Sequence, residues 1–216
     1  QITSPTGIIT TNKIKELNVN TIGEEENKNV KIEVGQEEKQ ATVEKEVINN
    51  TGDKVENVVI SGRFATDGKD NNMGVVLASA VGVSGIENAK VYYTEKEDAT
   101  TDVKDSGNAW TEEITDTSKV RKYLIDVPSL EAQSSIKGTY KVEIPELLEY
   151  NQSAKQGYTV QYTNSLSKTE GEMKATTIEL ETGIGPKLET KLTPTVSGSE
   201  VASTVSYTHL RAHETL

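Results

Sequence analysis

The chain has 216 residues, 34 acidic against 23 basic side chains, a formal net charge of −11 and no cysteine. That balance repels phosphate backbones and anionic membrane surfaces, and the lack of thiols excludes disulfides and thiolate chemistry. Both histidines, His209 and His213, sit close to the C-terminus, so residues 1–204 offer no imidazole for a Ser-His-Asp or Cys-His nucleophile or a His/Cys zinc site.

Alternating apolar and polar residues predict short strands separated by turn chemistry. The first are 29–34 (NVKIEV) and 40–48 (QATVEKEVI), with Gly35 and a charged turn between them. Asn49-Asn50-Thr51-Gly52-Asp53 then reads as a tight turn, because Asn and Gly accept positive φ. A strand at 54–64 (KVENVVISGRF) leads to the polar loop 67–72, and further strands are expected at 75–81, 88–95, 122–127, 132–144, 156–163 and 172–181. About nine strands with regular turns make an all-β sandwich. Helix is confined to single turns, one at 116–120 capped by Asp116 or Thr117 and one at 145–149 opened by Pro145. Parity puts Tyr140, Val142 and Ile144 on one face and Tyr158, Val160 and Tyr162 on another, with Lys141, Glu143 and Gln161 turned away. Such alternation suits antiparallel sheets with one solvated face.

Thr6-Gly7-Ile8 returns as Thr182-Gly183-Ile184, each followed by Lys- and Leu-containing material, which points to a tandem array. On that division residues 1–26 lead in from a preceding repeat, 27–181 form the sandwich repeat, 182–204 open the next, and 205–216 are a non-native tail. The stretch 205–215, VSYTHLRAHET, resembles one reading frame of a translated sequencing adapter, as expected of a metagenomic fragment.

The segment from Val43 to Val58, with its Asn49-Asn50-Thr51-Gly52 turn, resembles the opening hairpin of DUF11-like repeats of Gram-positive cell-surface proteins. Val91-Tyr92-Tyr93-Thr94-Glu95, Asn108-Ala109-Trp110-Thr111 and Tyr158–Asn164 are similar to segments of large surface proteins of Firmicutes. The resemblance implies an immunoglobulin-like antiparallel β-sandwich in an extracellular, cell-wall-associated stalk or adhesin-like array. It implies no catalytic residues. The expected partners are neighbouring repeats of the same chain and host or cell-wall glycans or proteins, without nucleic acid, membrane insertion or a cofactor.

Four groups of residues bear on chemistry. Acidic side chains are abundant, but no Asp/Glu pair stands in an apolar setting of the kind glycoside hydrolysis needs, so no enzyme is expected. Asp67, Asp70 and Asn72 offer oxygen ligands in a short loop, but Lys69 interrupts a calcium pattern, and a polar turn is the better reading. Trp110 either plugs the core or, exposed, stacks on a sugar ring in a carbohydrate-binding module, the alternative function. Lys45 shares the face of Val43 and Val47, and Asn164 that of Tyr158, Val160 and Tyr162. Burial would favour a neutral, nucleophilic Lys45 amine, so the two are candidates for an intramolecular isopeptide crosslink, with Lys45 at a sheet edge as the alternative.

Overall fold

The computed structural model describes residues 7–17, 21–25, 29–34, 40–64, 72–145, 149–175, 178–183, 195–196 and 199–200. In chain order the strands are β1 (Gly7–Leu17), β2 (Thr21–Glu25), β3 (Asn29–Glu33), β4 (Gln40–Asn50), β5 (Val55–Arg63), β6 (Val76–Leu77), β7 (Gly82–Ser84) and β8 (Lys90–Thr94). They continue as β9 (Lys122–Leu130), β10 (Ser135–Glu143), β11 (Ser153–Gln156), β12 (Tyr158–Asn164), β13 (Glu170–Lys174), β14 (Ile178–Gly183) and the small hairpin β15 (Thr195–Val196) and β16 (Ser199–Glu200). Among the described residues there is no α-helix. Short 3-10 turns occur at Ser106–Asn108 and Thr117–Lys119, the second capped by the Asp116 carboxylate as expected.

The protein is an all-β, largely antiparallel sandwich. One sheet runs β1-β4-β10, with β6 and β7 both pairing the outer side of β10, and the second runs β13-β12-β5-β9-β8. A third, β11-β14-β3-β2, contains one parallel pair, β14 with β3. The core between them is aliphatic and aromatic: Val43, Val47, Ile60, Phe64, Leu77, Tyr123, Ile125, Val127, Ile136, Tyr140, Val142 and Val160 are all buried. Phe64 packs edge-on against Tyr140 and tilted against Tyr123, with ring centroids 4.8 and 4.9 Å away.

Several boundaries differ from the sequence-based expectation, each for a physical reason. The stretch expected to lead into the sandwich from residue 1 instead supplies β1, which pairs with β4 from Ala41 to Asn50 and buries Ile8 and Ile14. A register shift between Ile14 and Glu16 and an inward-facing polar residue, Asn12, interrupt the alternation that marks a strand. The strand expected at 156–163 is two strands, because the chain changes sheet at Gly157: β11 pairs with β14 and β12 with β5. The strand expected at 172–181 divides in the same way, β13 lying beside β12 and β14 beside β11 and β3.

The turn after β4 is a turn, but not through positive φ, since neither Asn49, Asn50 nor Gly52 adopts it. The Asn49 side chain holds it. Its amide donates to the carbonyls of Asp53 and Leu130, both at 2.9 Å, and its oxygen accepts from the Thr51 backbone and hydroxyl. The expected helical turn at 145–149, the loop residues Asp67 and Asp70 and the tail at 205–216 lie wholly or partly outside the described residues.

Candidate functional site

Lys45 points between the two main sheets, as parity requires, and is 2% exposed. It is not at a sheet edge, because β4 is flanked by β1 and β10, and Lys45 stands opposite Asn12 on one side and Gly138 on the other. Its ammonium nitrogen lies 5.0 Å from the ring centroids of Tyr140 and Tyr158 and 5.9 Å from that of Tyr123. These three ring faces partly replace water around a cation. Nζ donates to Asn12 Oδ1 at 3.1 Å, and Asn12 Nδ2 donates in turn to the carbonyl of Gln156 at 3.1 Å. Burial lowers the amine to about 7, with no charged neighbour contributing.

The surrounding polar groups close the cluster. Tyr140 donates a short hydrogen bond to Gln156 Oε1, and the Tyr158 hydroxyl reaches from the second sheet to the carbonyls of Thr11, at 2.5 Å, and Glu46, at 3.1 Å. Among the described residues, the Tyr123 hydroxyl and Gln156 Nε2 are buried without a hydrogen-bond partner. Burial raises the Tyr123, Tyr140 and Tyr158 phenols above their ordinary range, so they remain protonated. The neighbouring Glu44 is also buried, but it faces the other side of the sheet, where Lys13 and Lys15 approach it at 3.4 and 3.6 Å.

The structure does not bring Asn164 to Lys45. Tyr158 touches the amine, and Asn164 is six residues further along β12, which at about 3.3 Å per residue is ~20 Å away. Parity gives a face but not a position along the strand, and Tyr158 and Asn164 are the two ends of β12. Asn164 instead holds the β12–β13 hairpin, its side-chain oxygen accepting from the backbone of Leu166 and Ser167 at 3.0 Å, and its amide reaches Asp53.

Asn72 uses its side-chain oxygen to accept the Ser153 N–H at 2.7 Å, a structural bond beside β11. Among the described residues no group of three or more His, Cys, Asp or Glu side chains could hold a metal. Nor is any described helix long and apolar enough to cross a membrane. Trp110 does not plug the core: it is half-buried, with its indole N–H donating to the Thr100 carbonyl at 2.8 Å. It borders a cavity of about 650 Å³ whose lining includes Gly62, Tyr123, Gly157 and Tyr158. The floor of that cavity is therefore shared with the cage around Lys45.

No protein-family model matches the chain, and no curated protein does. Among solved structures it is similar to the major pilin subunit BcpA of Bacillus cereus, at 10% identity over 90% of this chain and 52% of that one, with a TM-score of 0.40. The full-length major pilin SpaD of Corynebacterium diphtheriae matches at 11% identity over 80% and 34%, with a TM-score of 0.38. ACE19, the collagen-binding subdomain of the Enterococcus faecalis surface protein ACE, matches at 11% identity over 84% and 99%, with a TM-score of 0.40. The chain thus spans about half of the BcpA structure and a third of the SpaD structure.

Proposed function

We propose that this chain is a structural β-sandwich repeat of a bacterial extracellular, cell-wall-associated protein, adhesin-like in use, which holds its neighbours in a tandem array rather than catalysing a reaction. The observation that carries this reading is the polar tie at β1. Asn12 joins β1 to Lys45 on β4 and to Gln156 on β11, while Tyr158 of the opposite sheet grips Thr11 and Glu46. A domain pulled along an array is loaded on its terminal strands, and bonds running from such a strand to several others must break together. In this arrangement the following repeat begins after β14, whose Thr182 and Gly183 still pair with β3.

The test is single-molecule extension of the whole chain between marker domains. Lys45→Met with Asn12→Leu should lower the unfolding force clearly, while Lys137→Glu on the solvent face of β10 should leave it unchanged. Equal forces for all three chains would remove the mechanical reading.

A covalent form of the same tie is favoured by one distance, the 3.1 Å contact between Lys45 and Asn12. A neutral Nζ would add to Asn12 Cγ, and the amide nitrogen would leave as ammonia carrying one amine proton. The partner is Asn12, not Asn164. Intact mass distinguishes the two forms: a deficit of one ammonia, absent in Lys45→Met, marks a bond, and the full mass leaves the tie non-covalent.

A further inference from the structure

We propose that the cavity beside Trp110 binds a short acidic saccharide, with the indole against the sugar and a ring of cations on its carboxylate or sulfate. About 650 Å³ is within the usual range of small-ligand sites. The charge of its described wall is opposite to that of the chain. Arg63, Lys122, Lys155 and Lys174 line it, from four different strands or strand ends, and among the described residues no Asp or Glu does, although acidic residues outnumber basic ones by 34 to 23 overall.

Arg63 meets Glu97 at 3.1 Å and Lys155 meets Glu179 at 4.0 Å, but both glutamates stand outside the cavity lining, and the Arg63 pair is well exposed on both sides. Exposed pairs of this kind hold little energy and yield to a competing anion. Lys122 anchors its ammonium on the Ala99 carbonyl at 2.7 Å. Its amine sits below the ordinary lysine range through partial burial and then the Arg63 charge, against Asp98 and Glu97. The Arg63 and Lys122 charges act on one another at this concave wall, and a bound anion relieves that repulsion.

Trp110 supplies the second half of the recognition. Its polar N–H is already spent on Thr100, which fixes the ring and leaves an aromatic surface at the cavity. Beneath it, Gly62 and Gly157 bring bare backbone to the floor, and the unpartnered Tyr123 hydroxyl lies directly under Gly62. The net charge of −11 selects against long, dense polyanions such as nucleic acid and favours a short ligand with spaced charges.

The experiment is calorimetric titration of the whole chain with a tetrasaccharide of alternating glucuronate and N-acetylglucosamine, a neutral tetrasaccharide of N-acetylglucosamine, and a four-base single-stranded DNA. The acidic sugar should bind, more weakly as salt is raised, and the other two should bind at least about tenfold more weakly. Trp110→Ala and Lys174→Glu should each weaken the acidic sugar about tenfold, while Lys137→Glu on the other sheet should not. Lys174 is exposed on β13, so its replacement tests the site even if the tryptophan variant is poorly folded. The proposal is overturned if the acidic sugar fails to bind, if the neutral sugar or the DNA binds as well, or if both cavity variants bind like the parent.

Discussion

At the scale of the residue, the buried Lys45 amine behaves very differently from a free side chain. In the folded chain its amine titrates near 7, in the unfolded chain near 10.5. Between those values the unfolded state carries a proton that the folded state lacks, so stability rises with pH across the window and is lost as pH falls toward 7. The caging phenols act in the opposite direction above their ordinary value of 10, because only unfolded tyrosine ionises there. Urea titrations between about 7 and 10 should therefore show a rising stability in the parent chain and a flat one in Lys45→Met; equal slopes would show that the amine is not the titrating group. Gly62 carries a second prediction. A Cβ there would lie 2.7 Å from the Tyr123 hydroxyl and 2.8 Å from the Gly157 carbonyl, so Gly62→Ala must displace the floor shared by cage and cavity. Overpacking of this kind costs about 1–3 kcal/mol, read as a lower urea midpoint.

At the scale of the element, the β4–β5 turn gains its order from one buried side chain. Asn49 donates to carbonyls in its own turn and in the β9–β10 connection, while its backbone pairs with Gln133 and Ser134 of that connection. Asn49→Ala would leave buried carbonyls unmatched and should lower stability by ~2–4 kcal/mol in chemical denaturation. The sequence made this turn visible through Asn and Gly, but the mechanism was hidden, because the acceptors Leu130 and Glu131 are some eighty residues away. The same division runs through the site. That Lys45 faces inward was legible from Val43 and Val47, since parity is local. Its partner was not, because Asn12 meets it only through the pairing of β1 with β4, and β1 does not alternate cleanly. Asn164 looked suitable because parity fixes a face but not a position along the strand, and it lies at the other end of β12 from Tyr158. Trp110 was legible as the one tryptophan, but the cations around it come from β5, β9, β11 and β13, an assembly that only the sheet order creates.

At the scale of the molecule, a charge of −11 on a folded chain sets repulsion against a few ion pairs. Those pairs are mostly at the surface: Lys54 and Lys168 approach Glu56 at 3.8 and 3.5 Å, and Arg63 approaches Glu97, all with well-exposed partners. Each contributes at most about 1 kcal/mol and is weakened by salt. Repulsion among the excess carboxylates extends over the whole surface and is screened by the same salt, at a Debye length of about 8 Å in physiological buffer. The buried amine of Lys45 is shielded from that screening by its position between the sheets. Because this repulsion outweighs the attraction within the surface pairs, the melting temperature should rise by a few degrees, about 2–4 °C, as sodium chloride is brought from very low to physiological ionic strength. Scanning calorimetry at fixed pH measures this directly. A melting temperature that fell with salt would mean that the Glu44, Glu56 and Glu97 pairs outweigh the net charge, and that these pairs, rather than the core and its polar tie, set the electrostatic stability of the domain.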